Sequence, residues 1–198
     1  MEATNNDSPG NAYYPDSPPM RKPGFALLYR LECTMADEEI NVGAPHGPGV
    51  IRGTANITGG TFKGPKLEGT VLPLGGADWA TVIEGTHSMT LDARYTIKTT
   101  DGHYLFVQAH GLYRPGPRTE YARQVTANPQ MPPPKTVTQD DVEFFSHLRI
   151  EAAGEYNWLN GLICVGVMSC EEDRIIIDAY YLTNFNGDGP EDIRMRRD

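Results

Sequence analysis

The sequence is expected to fold as an all-β protein, a single antiparallel lipocalin-like β-barrel with a disordered N-terminal tail and one long inserted loop. Three observations lead there. Short β-rich apolar runs recur from Phe25 to Leu182, Gly and Pro punctuate them at regular spacing, and no segment carries a helical period long enough to cover a parallel sheet. The chain has 198 residues, enough for one sizeable core and few for two.

Residues 1–23 are polar and carry Pro9, Pro15, Pro18, Pro19 and Pro23, so they cannot bury enough apolar area to repay their ordering entropy. Order is expected from Gly24, because residues 25–33 form a bulky run of strand length. A Gly/Pro loop at 43–49 follows, then strand 50–58, a break at Gly59-Gly60, a short strand near Phe62, strand 67–72 and the bend Gly75-Gly76. Two β-rich runs flank Asp101-Gly102, a pair suited to a two-residue type I′ turn. That turn would pair Thr100 with His103, Arg94 with Ala109 and Asp92 with Gly111. One face would then carry Asp92, Arg94, Thr96 and Lys98 beside Leu105, Val107, Ala109 and Gly111. Residues 124–141, with Pro129 and the run 132–134, read as an exposed insertion in which 138–142 could cap a short helix. Residues 144–151, 159–168 and 174–182 read as closing strands. The barrel domain is thus 24–190, and 191–198 is a frayed end.

Lys and Arg total 17 against 26 Asp and Glu, a net charge of -9. This sign of field disfavours nucleic acid and anionic lipid. No apolar stretch approaches the ~20 residues of a membrane span, and the first residues lack the pattern of a signal peptide, so a cytoplasmic protein is expected. Cys33, Cys164 and Cys170 cannot all pair and form no CxxC; they read as reduced thiols. Asn184-x-Asn186-x-Asp188-Gly189 imitates the start of an EF-hand loop, but Met195 stands where a carboxylate is required, so no metal site is expected. Walker A, GxGxxG, GxSxG and HExxH motifs are absent from the sequence, and no cofactor is called for.

What remains is polar residues where a barrel has no structural need of them. Asp78-Trp79 ends a strand in a glycine-rich bend and sets a carboxylate beside a large ring; its plainer role is to satisfy the amides of its own loop. Asp92 and Arg94 are same-side neighbours with small residues expected opposite, or else a surface ion pair. Tyr156, Trp158 and Asn160 stand at a strand entrance, as ligand contacts or as an aromatic plug.

Six ordered blocks, Pro48-Gly49-x-x-Arg52, Gly59-Gly60-Thr-Phe62-x-Gly64, residues 73–79, Leu91-Asp92-Ala-Arg94-Tyr95-Thr96, Thr100-Asp101-Gly102 and Tyr156-x-Trp158-Leu159-Asn160, resemble the widespread family catalogued as domain of unknown function 3237. The resemblance runs from about Phe25 to about Tyr181. It implies a lipocalin-like β-barrel concerned with small molecules, with members encoded among fungal natural-product pathways. The tail and the 124–141 insertion depart from the short bacterial form.

Two functions are consistent with these residues. One is a cofactor-independent enzyme of secondary metabolism that cyclises, isomerises or dehydrates a hydrophobic oxygenated molecule. Asp78, desolvated by Trp79, would be its general acid or base. Arg94, oriented by Asp92 and assisted by Arg52, would stabilise charge developing on oxygen. Trp79, Tyr95, Tyr156, Trp158 and Asn160 would shape the pocket. The other is a carrier that holds the ligand unchanged. The partners allowed are a small molecule and a second copy of the chain.

Overall fold

The computed structural model describes residues 22–185 together with Tyr13, Asp16, Pro18 and Met20. The expected tail falls mostly outside these residues, and the expected frayed end and most of the EF-hand-like stretch lie outside them as well. Among the described residues no helix is long and apolar enough to cross a membrane.

Ten strands are described: β1 Gly24–Met35, β2 Ile40–Gly43, β3 Val50–Lys63, β4 Glu68–Asp78, β5 Thr81–Ile83, β6 Ser88–Thr99, β7 Tyr104–Pro115, β8 Val142–Glu151, β9 Cys164–Glu171 and β10 Arg174–Thr183. All pairings are antiparallel, in the order β1-β10-β9-β8-β7-β6-β4-β3-β2, and β1 also pairs β3. That last pairing closes the sheet into a barrel and leaves the short β2 as an edge beside it. The short β5 pairs β3 and β6 beside the ring. β8 shows the two-residue period most plainly, with Val142, Phe144, Ser146, Leu148 and Ile150 buried and the residues between them exposed or partly so.

One end of the barrel is packed solid. Leu31, Phe62, Val71, Ile97, Leu105 and Val107 fill it. A 3-10 segment, Gly154–Gly161, packs against this end through Leu159, Tyr156 and Trp158. The strand expected from residue 159 therefore begins only at Cys164. The other end of the barrel is lined by residues around α1, Glu120–Ala127, and by the segment that follows it. The hydroxyl of Thr119 caps α1 by accepting from the Ala122 amide at 3.1 Å. This helix lies earlier than the one expected near Thr138, where Asp141 instead accepts from both the amide and the hydroxyl of Thr138 in a turn. The insertion is also less exposed than expected, since Val125 and Val137 are buried and Val137 bridges to Cys170.

The hairpin β6–β7 departs from the expected register by one residue. Its loop closes by hydrogen bonds from the Gly102 amide to the Thr99 carbonyl and from the Thr99 amide to the His103 carbonyl. Only Gly102, at φ 98°, enters the left-handed region, so Asp101 does not adopt the backbone that a type I′ turn needs. The loop is three residues long, a tight turn followed by a left-handed glycine. Arg94 consequently pairs with Gln108 and Asp92 with His110, while Ala93 faces Ala109 and Tyr95 faces Val107. A slip of one residue exchanges the faces of one strand relative to the other. The inward face is Leu91, Ala93, Tyr95 and Ile97 with Leu105, Val107, Ala109 and Gly111. Asp92 and Arg94, expected on one face with Leu105, Val107, Ala109 and Gly111, lie instead on the opposite, outer face, where they form the surface ion pair that was the alternative.

Candidate functional site

Above the packed end the barrel holds a cavity of about 480 Å³, a size typical of small-molecule sites. Small side chains leave the space, with Ala55, Ala93, Ala109 and Ser146 among the residues that line it. Ser146 packs against Gly166, where an added methyl group would stand 2.6 Å from its hydroxyl. The remaining wall is largely apolar, with Ile57, Val82, Met89, Phe144, Met168 and Ile177 among its residues. Met131, Pro133, Pro134 and Val137 of the insertion also line it.

Asp78 is the charged group in the barrel wall proper. It pairs with Ala93 on β6 and Ala55 on β3, two small cavity-lining neighbours. Gly76 lets β4 approach β6 this closely, because a Cβ there would stand 1.9 Å from the Arg94 carbonyl oxygen. The Asp92 amide donates to Asp78 Oδ1 at 3.0 Å. Burial nevertheless dominates, and it raises the carboxyl to about 6 against the opposing amide bond and the charge of Arg52. The amide it accepts from lies on β6, so the carboxyl ties two strands together and does not satisfy the amides of its own loop as expected.

Two buried hydroxyl-bearing residues, Tyr95 and Ser146, also line the cavity; the Tyr95 hydroxyl faces that of Tyr29, whereas Ser146 Oγ has no hydrogen-bond partner among the described residues. Burial holds the Tyr95 phenol well above its ordinary pKa, so it stays protonated. Both residues contribute to the wall, but the two hydroxyl oxygens themselves are packed away from the open space. Tyr95 lies two residues along β6 from Ala93, the partner of Asp78, about 7 Å away along the strand. Cys33 and Cys170 also reach the wall. Burial pushes their thiols up to about 12 and about 11, so both are neutral and poor nucleophiles.

The other expected site residues lie elsewhere. Arg94 donates to Asp92 on the outer face, at 3.3 and 3.4 Å, with side chains 51% and 35% exposed, and His110 sits 3.4 Å from the same carboxylate. Trp79 is exposed and does not desolvate Asp78; its carbonyl accepts from Arg52, which acts on the site only through its charge. Tyr156 donates to Asp101 in the β6–β7 loop, tying the 3-10 segment to the packed end. Asn160 binds the amide and carbonyl of Ala152 and the carbonyl of Asn157. Trp158 packs on the core. Tyr156, Trp158 and Asn160 therefore take the plainer structural roles.

His87, Tyr113 and Tyr121 were missed and also line the cavity. Tyr113 was legible in principle as an inward position of β7. His87 and Tyr121 come from a turn and a helix, where strand alternation says nothing. Among the described residues no group of three or more His, Cys, Asp or Glu gathers as a metal would require.

The model of the family described as "Protein of unknown function (DUF3237)" matches residues 23–182. The chain belongs to this family. A UPF0311 protein of Rhodopseudomonas palustris is 32% identical over 157 residues, covering 79% of this chain and 92% of that one. A crystal structure of a "beta-barrel like protein" from Acinetobacter baumannii superimposes with a TM-score of 0.69 at 26% identity, covering 84% of this chain and 99% of the other. The structure of an enzyme from Penicillium herquei matches with a TM-score of 0.56 at 20% identity, over 84% and 98% of the two chains. The family's fold is the barrel described above.

Proposed function

We propose that the protein is a cofactor-independent enzyme that moves a proton on an uncharged, mostly apolar, oxygen-bearing molecule held in the barrel, with Asp78 as the acid and base. The observation that carries this reading is the half-buried Asp78 carboxyl, raised to about 6, in the wall of a largely apolar cavity. A group with its pKa near neutrality can both take and return a proton at working pH. Proton removal beside a carbonyl followed by return elsewhere is isomerisation; return to a departing hydroxyl is dehydration; attack of an internal oxygen is ring closure. The ionisable wall residues besides cysteine and tyrosine are Glu39, Asp78, Glu84 and His87, with no Lys or Arg among them, so an anionic substrate would lack a counter-charge. A distantly similar barrel described as an enzyme is compatible with turnover on this fold.

The test uses 5-nitrobenzisoxazole, a small neutral probe. A carboxylate that removes its ring C–H proton breaks the N–O bond and releases a coloured phenolate. The expected result is saturable turnover that rises with pH through about 6 and is lost in Asp78→Asn. Equal rates for wild type and Asp78→Asn would overturn the acid/base reading and leave a carrier.

A further inference from the structure

A second polar station stands in the cavity wall, apart from Asp78. His87 ends the tight turn after β5, Tyr121 lies on α1 and Tyr113 on β7, and all three line the cavity. Tyr113 donates to the Tyr121 hydroxyl at 3.3 Å, and that hydroxyl lies 2.8 Å from His87 Nδ1. The His87 and Tyr121 rings meet edge to face at 5.7 Å. The single hydroxyl hydrogen of Tyr113 goes to Tyr121, which leaves Tyr121 its own to give to Nδ1. With Tyr121 as the donor, Nδ1 offers its lone pair and the hydrogen of the uncharged ring stands on Nε2. Burial raises both phenols, which keeps these hydrogens in place. Among the described residues Nε2 meets no partner.

We infer that His87 Nε2–H is a hydrogen-bond donor kept for a neutral acceptor oxygen of the ligand, such as a ketone, with Tyr121 and Tyr113 as positioning residues that fix its tautomer. Tyr113 pairs with Met89 and Asp78 with Ala93, so the two stations are four residues apart along β6, about 13 Å. The ligand this fits is an elongated uncharged molecule with an oxygen function toward each end. The inference rests on the proposed function only in taking this cavity as the ligand site.

The test uses 6-propionyl-2-(dimethylamino)naphthalene, a neutral fluorophore whose ketone emits at longer wavelength when it accepts a hydrogen bond. With wild-type protein the bound probe is expected to emit as a hydrogen-bonded ketone. His87→Phe should move that emission to shorter wavelength and weaken affinity roughly fivefold to tenfold, the effect of one hydrogen bond. Tyr121→Phe should act in the same direction to a smaller degree. Arg94→Leu, on the outer face, should leave the spectrum and affinity unchanged, and failure of the acid/base reading would appear in the benzisoxazole assay and not here. Absent binding, or identical spectra and affinities in wild type, His87→Phe and Tyr121→Phe, would overturn the inference. A readout free of any probe is the ¹⁵N spectrum of His87 in the intact protein at pH 8. Hydrogen on Nε2 supports the assignment, and hydrogen on Nδ1 overturns it.

Discussion

Replacing Asp78 by Asn should stabilise the barrel above neutral pH and leave its stability unchanged in acid. The native carboxyl is raised to about 6, whereas an aspartate in an unfolded chain titrates near ~3.9. Below pH ~4 the group is protonated in both states and resembles the amide. Between ~4 and about 6 the unfolded chain loses its proton while the native state keeps it, so stability is lost as pH rises. Above that interval the native protein carries a half-buried charge. About two pKa units at 1.36 kcal/mol each give about 3 kcal/mol, reduced to about 2 kcal/mol by the partial exposure of the group. The Asn side-chain oxygen can still accept from the Asp92 amide, so that bond is retained. Urea unfolding of both proteins at pH steps from 4 to 8 should show the difference growing from near zero to about 2 kcal/mol in favour of Asp78→Asn. A difference that is flat with pH, or one that favours wild type at pH 8, would refute the reasoning.

Three further substitutions separate the site from its surroundings. Arg94→Leu breaks an exposed ion pair with Asp92 and should shift unfolding by less than ~1 kcal/mol, with benzisoxazole turnover unchanged. Tyr95→Phe removes a buried hydroxyl that faces Tyr29, so it should cost about 1 kcal/mol in urea titration and leave the pH dependence of turnover unchanged. Asn160→Ala removes two hydrogen bonds that join the 3-10 segment to Ala152, next to the end of β8, and one within the segment. It should cost about 1–3 kcal/mol in the same titration without changing the pH dependence of turnover.

The barrel was legible because Gly and Pro divide the chain into short β-rich runs, and β6 to β10 follow one another as antiparallel neighbours. Which hairpin face turns inward was not settled by Asp101-Gly102, since that dipeptide suits both a two-residue loop and the three-residue loop found. The flanking strands held the answer. Aligning Leu91, Ala93, Tyr95 and Ile97 with Leu105, Val107, Ala109 and Gly111 puts the mainly apolar positions on one face and Asp92, Arg94 and Lys98 on the other. Asp78 was legible as a carboxyl in a glycine-rich bend, but its desolvation comes from the cavity wall, because Trp79 points outward. Tyr156 and Asn160 resembled ligand contacts because hydrogen-bonding side chains in a loop look alike whether they hold a ligand or the backbone. His87 and Tyr121 reach the cavity by tertiary placement of a turn and a helix, which no local pattern records.

The account rests on the proton affinity of Asp78. In protein carrying ¹³C-labelled aspartate, with Asp78→Asn identifying the resonance, the Asp78 carboxyl shift should be followed from pH 3 to 9. An inflection near 6 is the result expected, and an inflection near ~4, where exposed aspartates titrate, would contradict it.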